Sequence, residues 1–463
     1  MKKLLLYFLL ISSVGMKAQW TTQATSFTNI SEGVENISII DANTVWVLGY
    51  DGSSATPANF QEFAITVNGG TTWTRGAINI GNTALEINNI CPVSARTAWL
   101  SAVSPTAGMG GVWKSTDGGS SWIQQNASAY TDPASFMNTV HFFNSTTGIT
   151  AGDPKTGATD FEVYRTTDGG TSWSPITSTI PDIISGEYGY NGGNVSAGIN
   201  SYWFVTSKGK MYRTIDLGAT WTKLNGPTGL SDFGGVSTAT SAGQLFFSDI
   251  LSAGTGTNYG ICIARAGATT SPTYKLHKTT DGGTTWSAGV AYTQPYRSVA
   301  FIKGTTVLVG TGSTTVGATT TYYSGFSTDY GTTWAQIDTG VQRTSIAFLN
   351  DTTGWAGGFT TSSTVGGIYK YTGPSLANAS FNNPKLNITA TPNPTDGVLK
   401  LTANKVTINE VVVFDLLGKQ VYNSKYNAMN EIVLDLSILH SGAYLVKVTS
   451  DTGSTETLKI MKI

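Results

Sequence analysis

Charge is scarce in this chain. Asp, Glu, Lys and Arg make up 12% of its 463 residues, and the net charge is −1. So weak and balanced a field leaves no electrostatic footprint for nucleic acid or for an anionic membrane. Cysteine is scarcer still. Cys91 and Cys262 fall in two distant sequence repeats, so two separate buried thiols are expected rather than a disulfide, which needs Cα atoms within about 7 Å. Three histidines, His141, His277 and His440, are scattered along the chain. With no Cys/His cluster at metal-ligand spacing, neither a metal nor a cofactor is expected. Nucleophile elbow, phosphate loop and zinc signatures are missing too. No long stretch has helical periodicity, which excludes a helical protein. The one long apolar run is Leu4–Ile11, after Lys2 and Lys3 and before small residues and Ala18. That is the layout of a secretory signal peptide over residues 1–18, too short for a retained membrane span. No later segment is apolar enough to cross a membrane.

What is abundant is Gly (54 residues), aromatic side chains (11%) and small polar residues, the materials of short strands and tight turns. Six copies of one eight-residue pattern organise them: Thr66–Trp73, Ser115–Trp122, Thr166–Trp173, Thr214–Trp221, Thr279–Trp286 and Ser327–Trp334. The shared form is Ser/Thr-x-Asp-x-Gly-x-Ser/Thr-Trp, with Asn replacing Asp in the first copy. From Asn68 through Asp117, Asp168, Asp216 and Asp281 to Asp329 the steps are 49, 51, 48, 65 and 48 residues. Such a period marks a repeat architecture, and four short strands fill it. Gly takes positive φ in the turn at no steric cost. The Asp carboxylate accepts N–H groups of its own turn, and the Trp supplies apolar surface. All six box acids or amides are therefore read as structural.

The pattern resembles the Asp-box (BNR) repeat of sialidases and related β-propellers. After the sixth copy, strands at Thr344–Leu349, Gly354–Gly358 and Gly367–Tyr371 recur without a box, and Gln19–Gln23 is similar to the segment that follows a box. An all-β fold is expected: a seven-bladed β-propeller over residues 19–374, its last blade closed by residues 19–25 pairing with Gly367–Tyr371. Phe142–Pro154, Val163–Trp173 and Phe348–Gly358 also resemble propellers related to photosystem II assembly factors, a likeness that implies repeat type and no partner.

Residues 375–385 read as a polar linker. The pattern then changes, and alternating segments over residues 386–463 predict a small antiparallel β-sandwich. This tail resembles the type A C-terminal sorting domain of the type IX secretion system. The matching elements are Pro392-Asn393-Pro394, Asp415–Lys419, Leu434–Ser437, Gly442–Tyr444 and Lys459–Ile463. The resemblance implies the secretion machinery as partner, a Bacteroidota source, and a route through the periplasm to the outer-membrane surface or the medium. A monomer is expected.

Chemistry is harder to find. The Asp-box resemblance does not extend to the arginine triad and Arg-Ile-Pro phrase of sialidases; the chain has seven arginines and no such phrase. Strand order puts the loops between repeats on the face opposite the boxes, where propellers usually meet ligands. The unequal loops there are Pro181–Gly198, with Glu187, Tyr188 and Tyr190, and the segment after Asp153. The Ser248–Tyr274 insertion with Asp249 is assigned to the same face, with Tyr296 and Arg297 at its edge. These seven residues are the expected ligand contacts, and no catalytic residue is assigned. Two functions stay open. One is a non-catalytic module that binds a glycan or a protein. The other is a glycoside hydrolase, which requires two carboxylates about 5–9.5 Å apart.

Overall fold

The computed structural model describes residues 19–53, 59–106, 109–191, 195–197, 200–234, 241–251, 258–267, 272–376, 388–403, 406–415, 419–450 and 455–463. Residues 1–18, where a signal peptide is expected, most of the expected linker and parts of the Pro181–Gly198 and Ser248–Tyr274 segments lie outside them. The chain divides into two compact units, Met1–Leu376 and Ala377–Ile463. The described residues are all strand and turn, and among them no helix is long and apolar enough to cross a membrane.

Boxes two to six each belong to a four-stranded antiparallel sheet whose strands follow chain order. The sheet of box two, for example, runs Glu86–Pro92, Ala98–Val103, Gly110–Ser115 and Ile123–Gln125. Box one lies in an eight-stranded sheet made of two four-stranded groups, bridged by the pairing of Gly33 with Phe359. The second group joins chain ends. Ile346–Asn350, Thr353–Ser362 and Val365–Tyr371 are completed by Trp20–Ala24, with Trp20 opposite Tyr371 and Ala24 opposite Gly367. The expected end-to-end pairing is thus present. The fourth strands start just after the box Trp rather than at it, as at Thr74, Ile123 and Thr222.

Each box is a closed hydrogen-bond circuit. In the third, Asp168 Oδ1 accepts from Thr166 Oγ1 (2.8 Å) and from Ser172 N (2.9 Å), while Oδ2 accepts from Ser172 Oγ (2.6 Å). Gly170 N donates to Thr166 Oγ1 at 2.9 Å, which needs Gly169 and Gly170 at φ of 72° and 86°. Leu217 and Tyr330 take the first of these positive-φ positions in boxes four and six, both at 60°. Tyr330 offsets that strain by donating its hydroxyl to Thr279 O in the preceding box (2.7 Å).

Two devices hold sheet to sheet. The second strands bury Trp46, Trp99, Trp203 and Trp355 completely. Trp99 stacks on Phe142 of the next sheet at 3.5 Å and Trp203 on Phe247 at 4.0 Å. The other device is a cation one residue before the box in the third strand. Lys114 donates to Gly169 O (2.7 Å), Arg165 to Leu217 O (2.8 Å), Arg213 to Asp281 O (2.9 Å) and Lys278 to Thr332 Oγ1 (2.7 Å). Lys370, in the strand that pairs with the N-terminus, donates to Gly69 O of box one at 2.7 Å. Each cation therefore grips the next sheet's box turn, and the last grips the first.

In the second unit, Ile388–Thr391, Val398–Ala403 and Glu431–Asp435 form one antiparallel sheet. Ile408–Asp415, Gln420–Met429, Gly442–Ser450 and Thr455–Lys462 form another. Leu399, Leu401 and Leu434 of the first share one core with Val411, Val413, Val446 and Val448 of the second. Gly397 takes a φ of 144°, and a Cβ there would meet Ser437 Cα at 2.8 Å, so this turn tolerates only glycine.

Candidate functional site

First strands of the sheets contribute to three cavities of the larger unit. One cavity of about 690 Å³ lies among Glu35–Ile39, Glu86–Pro92 and Thr139–Phe142. Another of about 900 Å³ lies among Glu35–Ile39, Gln244–Phe247, Arg297–Phe301 and Arg343–Phe348. A third of about 530 Å³ joins Glu35 and Glu86 to Tyr50, Asp51 and Phe60. Glu35 lines all three.

Four of these first strands break register at equivalent places. The shifts fall between Val34 and Asn36, Ile87 and Asn89, Met137 and Thr139, and Tyr296 and Ser298. The extra residues are Glu35, Asn88, Asn138 and Arg297. A β-bulge adds one residue to a strand and re-aims its side chain: Glu35, Asn88 and Arg297 line the cavities, while Asn138 is buried and donates to Asp153. Neighbouring asparagines secure the geometry. Asn89 donates to Val140 O (2.8 Å) and accepts from Val140 N (3.1 Å) across two sheets. Asn191 Nδ2 donates to Asn88 Oδ1 at 2.9 Å.

Arg297 is spent in part. Its guanidinium lies 3.7 Å over the Tyr274 ring and donates to Tyr296 O (3.1 Å). Glu35 has no hydrogen-bond donor among the described residues. Its side chain is exposed at the cavity surface, yet the atoms crowded around it partly desolvate the carboxylate, and that desolvation, with the like charge of Glu86, raises its pKa. Burial first and the Glu35 charge second push the Tyr50 hydroxyl up to about 12.

The seven residues expected to meet a ligand do not form one group. Glu187 is buried: Thr206 Oγ1 donates to it at 2.6 Å and Ile184 N at 2.8 Å, and Lys223 pairs with it at 2.9 Å. Asp153 is buried and accepts from Gly189 N (2.7 Å) and Asn138 Nδ2 (2.8 Å). Both hold the Pro181–Gly198 loop in place. Tyr188 is exposed and meets Tyr190 edge-on at 5.4 Å, while Tyr190 donates to Asp232 Oδ1 at 2.7 Å. Tyr296 is buried, stacked on Trp334 at 4.6 Å. Asp249 requires a correction. Its Oδ1 accepts from Gly304 N (2.7 Å), and nearby Asn258 O accepts from Gly282 N of box five (3.1 Å). It therefore lies on the box side, opposite the Pro181–Gly198 loop. The physical reason is that most of the supposed insertion is strand, Ser241–Leu251 pairing with Asn258–Ala266, whose paired ends Leu251 and Asn258 lie at the box end.

Sequence reasoning missed Glu35, Glu86 and Asn88. A signal was present. Polar doublets (Glu35-Asn36, Asn88-Asn89, Asn138-Thr139, Arg297-Ser298) interrupt otherwise apolar first strands, and a two-residue break in strand alternation is the mark of a bulge. Cys91 and Cys262 are free thiols, as expected. Among the described residues no cluster of His, Cys, Asp and Glu has the geometry to hold a metal.

Residues 390–462 match the family model described as the secretion system C-terminal sorting domain. The tail is therefore a sorting domain, and the chain is type IX secretion cargo, sorted to the cell surface or released. Among solved structures, YCF48 bound to D1 peptide is similar at 15% identity and a TM-score of 0.50, over 78% of this chain and 98% of that one. YCF48 from Cyanidioschyzon merolae is similar at 16% identity and a TM-score of 0.49, over 77% of this chain and 99% of that one. A GH74 xyloglucanase from Xanthomonas campestris is similar at 14% identity and a TM-score of 0.31, over 92% of this chain and 68% of that one. At 15% identity the likeness to the first of these is one of all-β, propeller-like fold. No curated protein matches the chain in sequence.

Proposed function

We propose that residues 19–374 form a seven-bladed propeller, exported through the periplasm by its sandwich tail (386–463), that binds an extracellular glycan or protein at the cavity mouth. The observation that carries this reading is the repeated bulge. Three sheets spend an irregularity at one level to place Glu35, Asn88 and Arg297 on the cavity walls, while the fourth bulge turns Asn138 onto Asp153. Tyr188 and Tyr190 would extend the surface, with rings for stacking on a sugar. A glycan array on the mature propeller, with peptide arrays beside it, tests the reading. Glu35→Gln and Tyr188→Ala are expected to weaken capture of whatever is retained while leaving the melting temperature near that of the parent. Capture unchanged in both would move the site elsewhere.

The second reading, a glycoside hydrolase, is favoured by one feature: Glu35 and Glu86 share a cavity and interact as like charges. A reducing-sugar assay on the captured glycan separates the two. Release of sugar that disappears in both Glu35→Gln and Glu86→Gln would make the protein an enzyme.

A further inference from the structure

Thr455–Lys462 is the last strand of its sheet, paired on one side with Gly442–Ser450. Its other side is an open edge, which ordinarily presents unpaired N–H and C=O groups. Here the end of that edge is occupied by the Pro-Asn-Pro segment. Asn393 Nδ2 donates to Lys459 O at 2.9 Å, and Met461 N donates to Asn393 Oδ1 at 2.9 Å. The backbone continues the pairing: Thr395 N donates to Met461 O (2.8 Å) and Ile463 N to Thr395 O (2.9 Å). One side-chain amide thus reproduces both bonds of a neighbouring strand residue, and the next residues complete the row. The flanking prolines have no N–H to offer a competing partner. The register so fixed turns Ile460 and Lys462 inward and leaves Lys459, Met461 and Ile463 outward.

We infer that Asn393 is a positioning residue for sorting, latching the C-terminal strand so that Lys459–Ile463 is presented in one register to the secretion machinery. The inference rests on the sorting role of the tail. The strand is held at its very end, where an edge would otherwise fray, and by an exposed side chain that adds nothing to the core. A role in stability alone is better served by core positions such as Val413, which is fully buried.

The experiment uses the full-length chain in a host with the secretion system. It follows the fraction of propeller reaching the surface or medium for Asn393→Ala, for deletion of residues 386–463, and for Val413→Ala. Melting of the purified proteins measures how much stability each point variant loses. Asn393→Ala is expected to lose export down to the level of the deletion, while Val413→Ala, with at least as large a fall in melting temperature, is still exported. Two results overturn the latch: normal export of Asn393→Ala where the deletion is blocked, or equal loss of export in both point variants. Normal export of the deletion overturns the sorting role itself.

Discussion

Burial pushes the Asp153 pKa from 3.8 up to about 6 against the opposing bonds from Gly189 and Asn138. An acid whose folded pKa lies above its unfolded value contributes fully to stability below about pH 4 and loses that contribution as the pH rises through about 6. The rise corresponds to about 3 kcal/mol. Asp153→Asn keeps an oxygen for Gly189 N and removes the charge. Its melting temperature is expected to match the parent near pH 4 and to exceed it increasingly towards pH 7. The box acids have the opposite sign. Hydrogen bonds from Ser172 and Thr166 hold Asp168 down at about 2, and those from Ser121 and Ser115 do the same for Asp117. Their contribution is present above about pH 4 and is lost as the pH falls towards about 2. Acid unfolding is expected in that window, and Asp168→Asn is expected to make it shallower in a fluorescence titration. The residue types at both positions were legible in the sequence, but only the fold shows that one carboxylate is drawn down by hydroxyls and the other is left in a desolvated loop.

The element scale belongs to the third strand and its cation. Arg165 reaches Leu217 O in the next box turn. Arg165→Met keeps the aliphatic stem and leaves that carbonyl without its donor, a loss of about 1 kcal/mol or more. The urea midpoint is expected to fall accordingly, with an unchanged slope. The same position holds Lys114, Arg213, Lys278 and Lys370, so the recurrence of a cation was visible in the sequence, but its target was not. The bulges were half legible in the same way. A polar doublet in an apolar strand shows that alternation fails, but which residue is extruded depends on pairing with the second strand. The latch at Asn393 was legible as a motif, while its bond to the terminal strand spans 66 residues.

At the scale of the whole larger unit, first and last sheets are joined by Trp20–Ala24 and by Lys370. Trp20 is buried, edge-on to Phe348 and Tyr371 at 5.9 and 5.3 Å, and Arg343 lies 4.9 Å over its ring. Deleting residues 19–24 exposes the edge of Val365–Tyr371 and removes that packing. The truncated propeller is expected to melt many degrees below the parent and to aggregate on heating, read by calorimetry and light scattering. A truncation that melts at the parent temperature would show that the chain ends do not close the structure.

The sequence by itself determined the repeat, the structural role of its six boxes, the joining of the chain ends and the nature of the tail. Each of these is encoded locally, in turn chemistry and strand patterning that recur at a fixed period. The tertiary structure decided what faces what. It turned Glu187 and Asp153 into buried supports, carried Asp249 to the box side, and brought Glu35 and Glu86, 51 residues apart in the chain, to one cavity. Those outcomes depend on strand register and on the packing of one sheet against the next, which no local pattern specifies.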